Sequence, residues 1–170
     1  MKKLLGGAAI AGLLVVPAAA QTTGGGQIVC QVTPVCAATD MFDEIEFAPG
    51  TMQSGASLSD GFSVQCNDVD GATLKLQSSE GGMESDDDED QVVPYIATIV
   101  GTSFAGLTLD TFAESGGAPN GSNNIFEEQT AGGSASLAGG ESGSIQVTLT
   151  GSASWAGGYS DTLTLQIRSN

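Results

Sequence analysis

The densest group of potentially reactive side chains is an acidic run from Glu84 to Asp90. Carboxylate oxygens are preferred calcium ligands, and two carboxylates facing one another in a cleft can cleave glycosidic bonds. An EF-hand, however, spaces its acids around a central glycine, and contiguous acids repel one another and remain in solvent. We therefore expect residues 84–90 to form a solvated loop without a tight calcium site, and we find no pair of acids to assign to glycosidase chemistry.

Other catalytic groups are also missing from the sequence. The chain contains no histidine, which excludes a Ser-His-Asp triad, a Cys-His dyad and a histidine-ligated zinc site. It contains no Gly-x-Ser-x-Gly elbow and no phosphate-binding loop. The single tryptophan, Trp155, could stack against a ligand, but a tryptophan beside a terminal strand is more often core or edge cover. These observations predict a protein that is not an enzyme and has no catalytic residues, cofactor or metal.

Three cysteines, Cys30, Cys36 and Cys66, allow three single disulfides in an oxidising compartment. A Cys30–Cys36 bridge would close a small loop that contains Pro34. A Cys36–Cys66 bridge would close a loop of about thirty residues and contribute roughly 3–4 kcal/mol by the loop-entropy model. The remaining cysteine would be a small buried hydrophobe, which is the common case, or a reactive or intermolecular thiol.

The first twenty residues have the pattern of a signal peptide. Lys2 and Lys3 precede an apolar stretch over residues 4–16, which is too short to span a bilayer, and small residues at 18–20 fit a cleavage site. Export is therefore expected, with no transmembrane segment after cleavage. Cleavage changes the formal charge from −16 to −18, because only two basic residues then oppose 20 acids. Without a basic patch, nucleic acid is not an expected partner.

Short β-strands dominate the predicted elements. Alternating apolar residues and turn signals predict strands or extended segments over 27–35, 42–47, 58–66, 74–76, 92–100, 104–112, 144–150 and 162–167. We expect a bulge at Gly61, a hairpin around the turn at 68–71, loops over 78–91 and 114–124, an edge position for the strand with Pro94, and no long helix. Short strands separated by turns predict an all-β, immunoglobulin-like β-sandwich, with a small barrel or jelly roll as the alternative.

The last predicted strand gives the strongest signal. Leu163, Leu165 and Ile167 alternate with polar residues, as in a half-buried strand. This closing segment resembles that of the spore coat U–like pilins of the archaic, Csu-type chaperone–usher pathway, which end in a Gly-x-Tyr-x-Asp-Thr-hydrophobic-x-hydrophobic pattern. The matching residues are Gly157, Tyr159, Asp161, Thr162, Leu163 and Leu165. The extension before Cys36 and the position of Cys66 at the end of an early strand are also similar to this family.

The resemblance implies a specific organisation. Residues 1–20 would be the signal peptide, 21–35 an N-terminal donor-strand extension with Ile28, Cys30 and Val32 as its alternating plugs, and 36–170 an incomplete immunoglobulin-like pilin domain. It implies a Cys36–Cys66 disulfide and an unpaired Cys30. Tyr159, Leu163, Leu165 and Ile167 would form the groove and the chaperone contact.

The function implied by the resemblance is that of a structural subunit of a surface fibre. The partners would be a periplasmic chaperone, an outer-membrane usher and other copies of the chain or related pilins, and the fibre would serve adhesion or biofilm formation. The location would be the periplasm and then the cell surface. The alternative is a monomeric secreted binding module, an adhesin or calcium-dependent surface protein, in which residues 27–35 form an ordinary strand of their own sandwich.

Overall fold

A computed structural model describes residues 30–48, 50–88, 91–117 and 124–170. By its contacts the chain divides into two units, Met1–Val32 and Thr33–Asn170, and the fold given below is that of the second unit. The predicted signal peptide and Ile28 lie outside the described residues.

The described residues form eleven strands and two short helices. The helices, α1 (Thr111–Glu114) and α2 (Ala135–Gly139), begin at Asp110 and Ser134, whose side chains accept hydrogen bonds from backbone amides of the first turn. None of the helices in the described residues is long and apolar enough to cross a bilayer. The strands are β1 (Cys36–Thr39), β2 (Ser57–Cys66), β3 (Ala72–Ser78), β4 (Met83–Ser85), β5 (Val92–Val93), β6 (Tyr95–Val100), β7 (Thr108–Asp110), β8 (Ile125–Ala131), β9 (Glu141–Leu149), β10 (Tyr159–Ser160) and β11 (Leu163–Ser169).

These strands form three antiparallel sheets. The largest has five strands in the order β1-β2-β9-β6-β7, and a second has the order β11-β3-β8. A small third sheet has the order β10-β4-β5. Every strand pair in the described chain is antiparallel, so the predicted all-β architecture of sandwiched sheets is confirmed.

The core lies between the five-stranded sheet and the β11-β3-β8 sheet. Phe62 and Val64 enter it from β2, and Leu74 and Leu76 enter it from β3. Leu165 of β11 joins the same hydrophobic cluster. Burial alternates along β2, β6 and β9 with the two-residue period of an extended chain, and removing these side chains from water is the main stabilising term of the fold.

The predicted hairpin around residues 68–71 is wrong. β2 pairs with β1 and β9, whereas β3 pairs with β11 and β8, so the turn carries the chain from one sheet to the other. Gly71 adopts a positive φ of 88°, and a Cβ there would lie 2.0 Å from the carbonyl oxygen of Ala131. The crossing brings the apolar residues of β2 and β3 into one core from two different sheets.

Several strand predictions also need correction. Residues 42–47 form no strand, and Gly61 is not a bulge, because β2 and β9 pair without interruption from Ser57 to Val64. Pro94 divides the strand predicted over 92–100 into β5 and β6, since it has no amide hydrogen for a ladder. β5 lies at a sheet edge, but β6 lies between β9 and β7, so the edge prediction holds only for β5.

The remaining differences concern loops. The predicted loop over 78–91 contains β4, which pairs with β10. Of the strand predicted over 104–112, only β7 is extended, and α1 follows it. The predicted loop over 114–124 ends where β8 begins, and residues 118–123 of it lie outside the described residues.

Candidate functional site

A disulfide links the first two strands of the domain. Cys36 and Cys66 are bonded and stand opposite each other in the pairing of β1 with β2, so the predicted bridge is confirmed. Next to it, Asn67 holds the chain that leads into β1. The side chain of Asn67 accepts a hydrogen bond from the Val35 amide at 2.7 Å and donates one to the Thr33 carbonyl at 3.2 Å. The backbone amide of Asn67 donates a third to the Val35 carbonyl at 3.1 Å. The domain is therefore anchored where β1 begins.

Two strand edges remain open on one side of the domain. β1 ends the five-stranded sheet and pairs only with β2, while β11 ends its own sheet and pairs only with β3. Within the described chain the two edges lie near each other, with Cα atoms within 8 Å, but do not pair. An edge of this kind presents free amide and carbonyl groups that can accept another strand.

Beyond β1, the chain and β11 enclose a groove, here called the edge groove, that is lined by apolar residues and by Asp43, Glu44, Ser160, Asp161 and Thr162. Its volume is about 320 Å³. Tyr95 and Val147, both buried, form its floor. Its apolar walls come from the segment after β1 and from the β4, β10 and β11 region: Phe42, Ile45, Phe47, Met83, Tyr159 and Leu163.

The predicted groove residues are not equivalent in the structure. Tyr159 and Leu163 line the edge groove. Leu165 lies in the core with 6% of its surface exposed, and Ile167 packs against the core further along β11. The wall formed by Phe42, Ile45 and Phe47 was not predicted as part of the groove, although its alternation with acids was visible in the sequence.

Asp161 closes the end of the edge groove with a set of hydrogen bonds. Its carboxylate accepts from the Tyr95 hydroxyl at 2.6 Å, from the Ser78 and Ser79 hydroxyls, and from the Glu80 amide at 3.1 Å. Burial of Tyr95, followed by the negative charge of Asp161 and the hydrogen bond to it, raises the pKa of the Tyr95 hydroxyl well above its ordinary value of 10.0. Asp161 thus fixes the start of β11 against the end of β3.

The acidic run is partly ordered by the closing segment. Glu84 and Ser85 pair with Ser160 and Tyr159, and the Asp86 amide donates to the Gly158 carbonyl at 3.0 Å. The expectation of a wholly solvated loop is therefore wrong at its first residues. In the described part of the chain, no three histidine, cysteine, aspartate or glutamate side chains could together hold a metal ion. Glu89 and Asp90 lie outside that part, and the absence of a tight calcium site stays a prediction.

Trp155 occupies a different place from the one expected. It is 67% exposed and is neither core nor edge cover. It lines a second, open cleft of about 730 Å³, here called the tryptophan cleft, together with Phe47, Met52, Tyr159, Glu44, Glu46, Gln53 and Ser152. The Tyr159 hydroxyl donates to the Trp155 carbonyl at 3.2 Å and so fastens the tryptophan loop to β10.

Two of the three predicted donor-strand residues are described. Cys30 is free and exposed, so the interpretation of the spare cysteine as a buried hydrophobe is wrong. Val32 is 73% exposed. No secondary structure is assigned to residues 30–35, and the first strand begins only at Cys36.

The described residues form an antiparallel β-sandwich in which β1 and β11, edge strands of different sheets, lie near each other beside the edge groove. Comparison of the chain with protein-family models, with curated proteins and with solved structures finds no match.

Proposed function

We propose that the protein is a structural subunit of a secreted surface fibre, assembled when the N-terminal extension of one copy completes the sheet of the next. In this proposal the domain is an incomplete immunoglobulin-like fold. The observation that carries it is the open edge of β11 beside the apolar walls of the edge groove. Such an edge binds an added strand through backbone hydrogen bonds, while pockets accept its alternate side chains.

The proposed occupant is the segment over residues 27–35 of a second copy. Ile28, Cys30 and Val32 alternate with other residues, which places all three side chains on one face of an extended chain. The segment carries no charged residue, so its side chains can pack on the apolar walls of the groove without a large desolvation cost. The full extension, residues 21–35, can span about 50 Å when extended, which is long enough to reach a neighbouring domain.

The described start of the domain supports this occupant over the alternative. A self-contained secreted binding module would use residues 27–35 as a strand of its own sandwich. Residues 30–35 are instead without assigned strand, and the exposed Val32 is available to another molecule. The Asn67 hydrogen bonds hold Thr33 and Val35 to their own domain, so the plugs Ile28, Cys30 and Val32 all precede the point at which the chain is held.

The exposed apolar walls of the edge groove also explain why fibre assembly would need partner proteins. An unfilled edge and groove favour aggregation. A periplasmic chaperone would cover the groove first, and at an outer-membrane usher the extension of the next subunit would replace it. The resulting fibre would serve adhesion or biofilm formation at the cell surface.

Strand complementation within one chain tests the proposal. A copy of residues 27–35 is added after Asn170 through a flexible Gly-rich linker, in a protein that lacks residues 1–35 at its own N-terminus. The added strand should fill the edge groove and give a monomer with a higher melting temperature, because linkage raises the effective concentration of the strand to the millimolar range. Thermal unfolding and size-exclusion chromatography with light scattering measure the two effects.

The matched control carries Asp in place of Ile28 and Val32 within the added copy. It has the same length and linker, but its charged plugs should not enter the groove, so the stabilisation should disappear. Deleting residues 21–35 alone should prevent polymerisation while leaving chaperone binding intact. A domain that is already a stable monomer and gains nothing from the added strand would refute the fibre proposal.

A further inference from the structure

The tryptophan cleft combines aromatic rings with carboxylates. Its wall contains three aromatic side chains, Trp155, Tyr159 and Phe47, and one thioether, Met52. Glu44 and Glu46 are exposed and line the same cleft. An aromatic face carries negative charge density and attracts a cation, and two nearby carboxylates strengthen that attraction.

The net negative charge of the whole chain also favours a positively charged ligand. A formal charge of −16 attracts cations and repels anions from an open surface cleft. A phosphate, a sulfate or an acidic sugar would meet Glu44 and Glu46 without a basic residue to balance them, because no Lys or Arg of the described residues lines the cleft. An anionic ligand is therefore disfavoured, and a cationic one is attracted.

The basic groups of the described domain are already engaged. Lys75 lies 4.2 Å from the centre of the Phe126 ring, and Arg168 forms an ion pair with Glu128 at 2.7 Å. Within the described residues, a second copy would have to break one of these contacts to supply a basic side chain. A small organic cation from solution meets no such cost.

We propose that the tryptophan cleft binds a small organic cation with a quaternary ammonium group, of the choline type. A quaternary nitrogen keeps its charge at every pH, and its methyl groups match the aromatic and thioether surface. It needs no hydrogen-bond acceptors, unlike a primary ammonium, which is strongly hydrated. Trp155 and Tyr159 would contact the methyl groups, and Glu44 and Glu46 would balance the charge. Glu44, Phe47 and Tyr159 also line the edge groove, so binding is tested on the isolated subunit, before a donor strand or chaperone fills that groove.

Choline titration tests the proposal, because Trp155 is the only tryptophan and its fluorescence reports on the cleft directly. At constant ionic strength, choline should change the emission saturably, with a Kd on the order of 1 mM. The uncharged isostere of choline, with carbon in place of nitrogen, has the same shape. It should bind about threefold to tenfold more weakly, since only the cation–π and carboxylate attraction differs. Equal affinity for the two compounds, or no saturable change with choline, would overturn the proposal.

Two double variants test whether the carboxylates of the cleft contribute to choline binding. Glu44→Gln with Glu46→Gln should weaken choline binding about threefold or more. Asp70→Asn with Glu114→Gln changes two other exposed acids that do not line the cleft and should leave the affinity unchanged. If the two double variants have the same affinity, the carboxylates of the cleft play no part and the proposal fails.

A separate readout is needed when Trp155 itself is replaced. In amide NMR spectra, choline should shift the signals of Gly157 and Gly158, which line the cleft, and Trp155→Ala should abolish these shifts. The melting temperature should change little because the side chain is largely exposed. Shifts that persist in Trp155→Ala, or a neutral monosaccharide that saturates the same signals as well as choline does, would assign the cleft to another ligand.

Discussion

The hydrogen bonds of Asp161 explain why the closing motif has an acid between Tyr159 and Leu163. Its carboxylate joins three hydroxyl groups and one backbone amide that belong to β6 and to the end of β3. Hydrogen bonds to a charged acceptor are stronger than neutral ones. One side chain therefore holds the first residue of β11 in register with β3, and the motif has a structural role before any role in binding.

The buried Tyr95 hydroxyl makes the stability of the domain sensitive to alkaline pH. Its pKa is raised in the folded state, chiefly by burial and then by Asp161. Above about pH 10 the unfolded chain releases this proton while the folded domain keeps it, so the stabilisation present below pH 10 is lost as pH rises. We expect the free energy of unfolding to fall by up to about 1.4 kcal/mol per pH unit in this range.

Urea unfolding of Tyr95→Phe isolates that contribution. The variant keeps the buried ring but has no ionisable hydroxyl. It should be less stable at neutral pH, because the bond to Asp161 is lost, yet its stability should fall less steeply above pH 10. An identical alkaline slope in the two proteins would show that Tyr95 does not control it.

At the scale of elements, the turn between β2 and β3 decides the architecture, and Gly71 is its tightest point. A Cβ at Gly71 would meet the Ala131 carbonyl and Gly132 within 2.7 Å, and φ is 88°. We expect Gly71→Ala to lower the free energy of unfolding by about 3 kcal/mol or more, since backbone strain and overpacking add.

Gly106 supplies the matched control. It has a similar φ of 96°, but a Cβ there would meet no atom within 4 Å. Gly106→Ala should therefore cost only the conformational strain, about 1–2 kcal/mol. Chemical denaturation of both variants measures the difference, and equal losses would mean that the approach of Ala131 contributes nothing.

Sequence patterns predicted the elements whose two faces differ most. β9 and β11 were found because apolar and polar residues alternate along them, and Ile145, Val147 and Leu149 are buried as that alternation requires. β8 was missed because it contains Glu127, Glu128 and Gln129, and only Ile125 among its residues is buried. β8 is an edge strand because it pairs with β3, and such backbone pairing requires no particular pattern of hydrophobic residues.

Turns and loops were harder to predict for a related reason. The residues at 68–71 indicate that the chain reverses, but a reversal within a sheet and one between two sheets use similar residue types. The edge groove was only partly predicted: Tyr159 and Leu163 line it, whereas the wall at Phe42–Phe47 was assigned to a strand of its own. The local alternation of apolar and polar residues in a segment does not show which distant segments it contacts in the fold.

At the scale of the molecule, the contacts divide the chain between Val32 and Thr33, three residues before the first strand. The core lies wholly beyond this point. In the fibre proposal the residues before Thr33 serve another copy, whereas in a self-contained module they would stabilise their own domain. The residue at which the stable domain begins therefore distinguishes a fibre subunit from a self-contained binding module.

Two truncated proteins measure that boundary. A protein that begins at Thr33 should have the same free energy of unfolding as one that begins at Gln21, when both are studied as dilute monomers. A protein that begins at Cys36 loses the hydrogen bonds of Asn67 with Thr33 and Val35 and should be less stable by about 1 kcal/mol, because these bonds are exposed. Asn67→Ala in the Thr33 protein removes the two side-chain bonds by another route and should give most of that loss. If the Thr33 protein is instead markedly less stable than the Gln21 protein, residues 21–32 complete their own sheet, and the monomeric binding module replaces the fibre subunit as the function of this chain.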